Sequence, residues 1–198
     1  GIFLKEEYGK DIVVWDELLA NWNDNNKTKP VIMAWNGMGF STQAANRGLK
    51  SIIVPYQYLY IDFMQGEEGD LFVDEPYHGG WGVNTVDEIY GLNPLSALSG
   101  KEEFALGVQC NMWTETCNYI DEVEYCLLPR MLAVSEIGWL PTDKKDWTSF
   151  YLRLQTHDEI FDHLDYQYAK HFIEPKEYTG QESTIMEAEE LLAKSVRG

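Results

Sequence analysis

Two short stretches carry side chains that chemistry can use in pairs. In the apolar run 50–62, Tyr60 and Asp62 are separated by one residue, and in the run 104–115 Trp113 and Glu115 have the same spacing. Residues i and i+2 of a strand point to one side, so each run is expected to present an aromatic plate and a carboxylate together. Trp15 closes a third apolar run, 11–15, and Trp35 a fourth, 29–35. One Trp at a strand end is most simply core filling, but repetition at every strand end asks for another reason. Aromatic rings stack on the C–H faces of a sugar while carboxylates accept hydrogen bonds from its hydroxyls, so the set reads as a pyranose pocket.

The four runs alternate with helical patterns. "STQAANRG" (41–48) reads as a short helix with Ser41 as N-cap and Gly48 as stop. Residues 121–139 read as one long helix, and 145–164 as another with Phe150, Leu154, Ile160, Phe161 and Leu164 on its apolar side. This alternation predicts an α/β fold with a parallel sheet buried on both faces. Ligands of such sheets bind at the carboxyl ends of the strands, where the four aromatics fall. The connection 63–103 is long, acidic and rich in Gly, with a turn or two of helix in "TVDEIYGL". Residues 1–172 read as one body and 173–198 as a helical tail that docks on it.

The chain has 198 residues and a formal net charge of -18, which repels phosphate backbones and anionic membranes. No nucleic-acid or membrane partner is expected, and no signal-like or membrane-spanning run is visible. Cys110, Cys117 and Cys126 form no CxxC, and the four His are scattered, so neither a disulfide framework nor a metal site is expected. No cofactor is expected either. "GIFLKEEYGK" reads as the end of a helix closing at Gly9 rather than as a natural beginning.

"VVWDELL", "IMAWNG", "IIVPYQYLYIDFMQG", "VQCNMWTE" and "EYCLLPRMLAVSEIGW" occur in the order and rough spacing of glycoside hydrolase family 20, the β-N-acetylhexosaminidases. The resemblance runs from about residue 11 to 172. It implies the C-terminal half of a (β/α)8 TIM barrel, strands five to eight, followed by C-terminal helices. It implies that Trp15, Trp35 and Trp113 line a pocket for a terminal N-acetylhexosamine, and that Asp62 and Glu115 bind its hydroxyls. The same resemblance gives Tyr60 the catalytic role of holding the acetamido carbonyl. That group attacks the anomeric carbon in the family's substrate-assisted, retaining mechanism, an exception to the two-carboxylate scheme. The implied partners are N-acetylhexosamine-terminated glycans, and secreted or periplasmic compartments are common in the family.

The family's general acid Glu and its Asp partner lie upstream of the matched region. Asp16–Glu17 is no substitute, since adjacent residues of an extended segment face opposite ways. Asp16 instead suits a supporting role near the pocket or an N-cap. Glu122 and Glu124 suit the first turns of a helix, and Arg130 with Glu136 a structural ion pair. The 198 residues alone are therefore expected to be inactive. The outer strands of half a barrel are open edges, expected to be covered by self-association or by the missing N-terminal half. A non-catalytic carbohydrate-binding module and a chitinase-like barrel are the alternatives. The former shares the aromatic walls, and the latter lacks the five motifs.

Overall fold

β-branched and apolar residues flanked by turn-formers make short strands here, and the helices between them carry their apolar faces onto the sheet. The computed structural model describes residues 1–23, 25–66 and 82–172. The loop acids Asp70, Asp74 and Glu75 and the expected tail 173–198 lie outside the described residues.

Helix α1, Ile2–Tyr8, closes on Gly9. Strand β1, Val13–Trp15, leads into a 3-10 turn, Asp16–Asn21, and then to β2, Val31–Ala34. Helix α2, Met38–Asn46, starts three residues before Ser41, so Ser41 lies inside it, fully buried, and is not the N-cap. Gly48 does end it. Leu49 N donates to Ala44 O and Gly48 N to Ala45 O, a Schellman closure that needs the left-handed φ of +66° found at Gly48. Strand β3 is Ser51–Ile53. A helical turn, α3 (Tyr56–Leu59), and α4, Val86–Gly91, come next, α4 opened by a Thr85–Glu88 capping box. Strand β4 is Ala105–Val108.

The four strands are parallel in the order β1-β2-β3-β4. Ser51 pairs with Ala105 but Ile52 with Gly107, leaving Leu106 as an extra residue on β4. Gly107 absorbs this bulge at φ +145°, a conformation that a side chain would strain. Ile32, Ala34, Ser51 and Ile53 are buried, Ile32 packed with Leu19, Ala44 and Leu49, and Ile53 with Ala45 and Leu98. The alternate residues Val31, Met33 and Ile52 are only half-buried. Burial is thus one-sided, not equal on both faces as expected, because helix packing favours one face. Both outer strands have a single partner among the described residues, and Val13 and Leu106 stand 53% and 51% exposed there.

The helix expected over 121–139 is two: α5, Ile120–Leu127, and α6, Arg130–Trp139. Pro129 lacks an N–H and forces Leu128 into an extended conformation, which breaks the helix. Glu122 accepts from Tyr119 N at 3.2 Å at the start of α5, and Glu124 from Gln167 N at 3.0 Å. The 145–164 pattern also divides, into α7, Trp147–Gln155, and α8, Asp158–His163. At the break, Thr156 Oγ1 and His157 Nδ1 both lie 2.7 Å from Arg153 O, competing with the helix for that carbonyl. Apolar residues of α4, α6, α7 and α8 (Val86, Ile89, Ala133, Ile137, Phe150, Leu154 and Phe161) form the main core with Val54, Leu59 and Ile61.

Arg130 does not pair with Glu136. It is fully buried and donates to Ile61 O at 2.6 Å, Asn84 O at 3.0 Å and Cys126 O at 2.8 Å. Residues six apart on a helix fall on different faces, and Glu136 instead takes a two-pronged bond from Arg153, both contacts at 2.8 Å. Among the described residues, no helix is long and apolar enough to cross a membrane.

Candidate functional site

Trp15 is the last residue of β1, and Trp35 follows directly on β2. Tyr60 does not end a strand. Strand β3 stops at Ile53, Pro55 opens α3, and Tyr60 emerges from that turn to make one isolated parallel bridge with Asn111. Strand β4, left without a neighbour beyond Ile53, also stops early. Trp113 therefore lies in a loop and Glu115 in a turn. The strand alternation expected to align the two pairs is absent at these positions, and the turns after β3 and β4 place them.

The rings nevertheless converge. Trp15 and Trp113 have centroids 6.1 Å apart, Trp113 and Tyr60 6.1 Å, and Tyr60 stacks on Trp35 at 6.0 Å and 18°. Tyr56 joins at 6.1 Å from Trp35, and Phe63 at 6.3 Å from Tyr60. Trp15 and Trp113 keep 37% and 40% of their surface open to solvent.

The acids after Trp15 brace this wall. Asp16 is fully buried, and its Oδ2 accepts from Trp35 N at 2.8 Å and Asn36 N at 3.0 Å. Its Oδ1 accepts from Asn36 Nδ2 at 2.7 Å, and Glu17 accepts from the Trp35 indole N–H at 3.0 Å. The following 3-10 turn is capped at Trp15 with no side-chain bond, so Asp16 supports the wall and is not an N-cap.

Asp62 is 7% exposed, and its Oδ1 has no hydrogen-bond partner among the described residues. Burial pushes its carboxyl above the usual range, with the Glu115 charge adding to the rise. Its own backbone N–H and the Arg130 guanidinium act in the opposite sense. Glu115 itself sits exposed on its turn. Burial also pushes the Tyr60 phenol up, with the Asp62 and Asp16 charges adding to the rise and the Asn111 and Trp113 side chains acting in the opposite sense. Tyr60 thus keeps its proton at neutral pH and is a donor. The site offers stacking faces, one phenolic donor and two acidic acceptors. Among the described residues, no group of His, Cys, Asp and Glu is placed to hold a metal ion.

Sequence reasoning missed Tyr56 and Phe63, whose signal was drowned by the aromatic richness of the run 50–63. It also missed Gln109 and Asn111, although their spacing with Trp113 repeats the alternation used for the named pairs.

The sequence model for the family described as "Glycosyl hydrolase family 20, catalytic domain" matches residues 4–142. A β-hexosaminidase of Porphyromonas gingivalis is 33% identical over 152 residues, which is 75% of this chain and 18% of that protein. One of Vibrio furnissii is 29% identical over 133 residues, 66% of this chain and 21% of the relative. The chain thus spans about a fifth of the length of these two relatives. Among solved structures, a GH20 exo-β-N-acetylglucosaminidase of Vibrio harveyi, crystallised with N-acetylglucosamine, superposes with a TM-score of 0.73 at 25% identity. The match covers 84% of this chain and 26% of that one. A GH20 β-N-acetylhexosaminidase of Streptomyces coelicolor shares the fold at a TM-score of 0.69 and 24% identity.

Proposed function

Since the chain belongs to glycosyl hydrolase family 20, we propose that it forms the sugar-holding part of an exo-acting β-N-acetylhexosaminidase site. The substrate class is glycans ending in non-reducing β-linked N-acetylglucosamine or N-acetylgalactosamine. The observation that carries this reading is the continuous wall Trp15–Trp113–Tyr60–Trp35, with Asp62 and Glu115 beside it.

In this reading the indoles of Trp15, Trp35 and Trp113 pack on the sugar ring and exclude water. Asp62 and Glu115 accept hydrogen bonds from its hydroxyls. The Tyr60 O–H donates to the acetamido carbonyl and holds that oxygen against the anomeric carbon, a positioning effect. The oxygen attacks that carbon as the glycosidic bond breaks, giving an oxazolinium intermediate. Water then opens the intermediate with net retention. A Glu upstream of this chain gives the leaving group its proton and later takes one from the water, and its Asp neighbour steadies the acetamido N–H.

The four parallel strands are, on the same reading, the fifth to eighth of a (β/α)8 barrel. The exposed edges at Val13 and Leu106 are covered by the other half or by a second copy.

Binding of N-acetylglucosamine to the 198-residue chain, followed by NMR or calorimetry, tests the site. Saturable binding is expected, with Trp113→Ala weakening it about tenfold, the ~1.4 kcal/mol scale of one good stacking contact. The unaided chain is expected not to release chromophore from a nitrophenyl N-acetylglucosaminide. Absence of binding, or turnover by the pure chain, overturns this assignment.

A further inference from the structure

Ahead of Trp113 lie two polar side chains to which the mechanism above gives no work. Gln109, Asn111 and Trp113 alternate along the extended passage that follows β4. This passage is pinned to the neighbouring chain. Gln109 N donates to Ile53 O at 3.1 Å and Asn111 N to Leu59 O at 2.8 Å, while Asn111 O accepts from Ile61 N at 2.9 Å. Asn111 is 8% exposed and forms the isolated bridge with Tyr60 itself.

The two amides are not independent. Gln109 Nε2 donates to Asn111 Oδ1 at 2.7 Å. With its oxygen occupied from that side, the Asn111 side chain turns its NH2 the other way. That nitrogen is buried and has no hydrogen-bond partner among the described residues. A buried amide donor in that condition is costly unless something accepts from it. Across the bridge stands Tyr60, and the Asn111 and Trp113 side chains both act to lower its phenol's pKa, the effect of donors turned toward its oxygen.

We infer that Gln109 and Asn111 are positioning residues that set the direction of the Tyr60 hydroxyl, through a relay from Gln109 Nε2–H to Asn111 Oδ1, from Asn111 Nδ2–H to Tyr60 Oη, and from the Tyr60 O–H outward to the ligand. A phenol oxygen that accepts from below presents its proton above. The relay therefore makes Tyr60 an obligate donor, matched to a carbonyl acceptor on the sugar and mismatched to an ammonium, which can only donate. The match to an acetamido carbonyl rests on the function proposed above, whereas the relay itself does not.

The sign of one titration separates this arrangement from its mirror, in which Tyr60 donates down to Asn111 Oδ1. Losing a donor to the phenol oxygen disfavours phenolate and raises the tyrosine pKa, while losing an acceptor for its proton lowers it. The full 198-residue chain is labelled with 13Cζ-tyrosine, and Tyr60→Phe identifies the Tyr60 signal. Asn111→Ala is expected to move its midpoint upward by roughly half a unit to one unit. Gln109→Leu is expected to move it by less in the same direction, since the Asn111 amide is then free to flip. The charges of Asp62 and Asp16 near Tyr60 are unchanged in both variants. A downward or null shift in Asn111→Ala overturns the relay. If Asn111→Ala fails to fold, Gln109→Leu decides by the same sign.

A second readout keeps the two readings apart. Adding N-acetylglucosamine is expected to shift the Tyr60 13Cζ signal of the wild-type chain, and about tenfold more of the sugar is expected to be needed in Asn111→Ala. An upward midpoint shift with no response to the sugar in the wild-type chain supports the relay and removes the sugar site. A sugar response with no midpoint shift in Asn111→Ala does the reverse.

Discussion

Replacing Asp16 tests whether the aromatic wall is held from behind by one buried carboxylate. Asp16 accepts three hydrogen bonds, from Trp35 N, Asn36 N and Asn36 Nδ2, with no exposure of its own. Asp16→Ala leaves two backbone N–H groups beside the core without acceptors, at about 1–3 kcal/mol each. It also opens a small void, while the desolvation cost of the carboxylate is recovered. The expected net loss is about 3–5 kcal/mol, a large share of the roughly 5–15 kcal/mol that holds a domain folded. Asp16→Asn keeps the volume and one acceptor oxygen, which can still take both backbone N–H groups. Its new NH2 then meets the Asn36 amide, which flips to present oxygen, so the expected cost is about 1–2 kcal/mol. Urea unfolding followed by far-UV circular dichroism avoids confusion with local Trp fluorescence. At a slope of about 2 kcal/mol/M, the Ala variant is expected to unfold roughly 1.5–2.5 M earlier than wild type and the Asn variant less than 1 M earlier. An Ala variant within about 0.5 kcal/mol of wild type refutes the bracing argument, and so does an Asn variant as damaged as the Ala one.

Arg130→Met removes the donors for the Ile61, Asn84 and Cys126 carbonyls. It is expected to cost about 3 kcal/mol or more in thermal or urea unfolding, with Arg130→Lys intermediate because an ammonium lacks the planar fork. Asp62 has a raised folded-state pKa, so its stability contribution is complete below the unfolded carboxylate value and is lost as pH rises through the folded one. Asp62→Asn is therefore expected to gain stability relative to wild type as pH rises from about 3 to 7 while losing sugar binding, and a relative gain that is flat or larger in acid contradicts this. Sedimentation velocity is expected to show concentration-dependent association of the chain, reduced by lysine at Val13 or Leu106 on the sheet edges. A single monomer boundary at every concentration counts against edge exposure driving contact.

The alternation of apolar runs with helical patterns was sufficient for the α/β class and for all four strands, since each run is β-branched or apolar and bounded by turn residues. Helix breaks were less legible. Pro129 was a visible stop inside the 121–139 pattern, whereas the break at Thr156–His157 depends on side chains competing for one carbonyl, which periodicity does not register. The types of the site residues could be read because aromatics and carboxylates recurred at the ends of the apolar runs. Their alignment could not be read from strand geometry, because Tyr60, Trp113 and Glu115 all lie beyond regular strands.

By itself, then, the sequence determined which residue types reach the carboxyl end of the sheet, because local apolar patterning decides where strands run. It took the folded chain to bring four rings far apart in sequence to within 6.0–6.1 Å of one another, and to set Asp16 behind Trp35. Those contacts depend on how the turns after β3 and β4 are pinned to one another through Tyr60 and Asn111. Such pairing across fifty residues leaves no periodic mark in the chain.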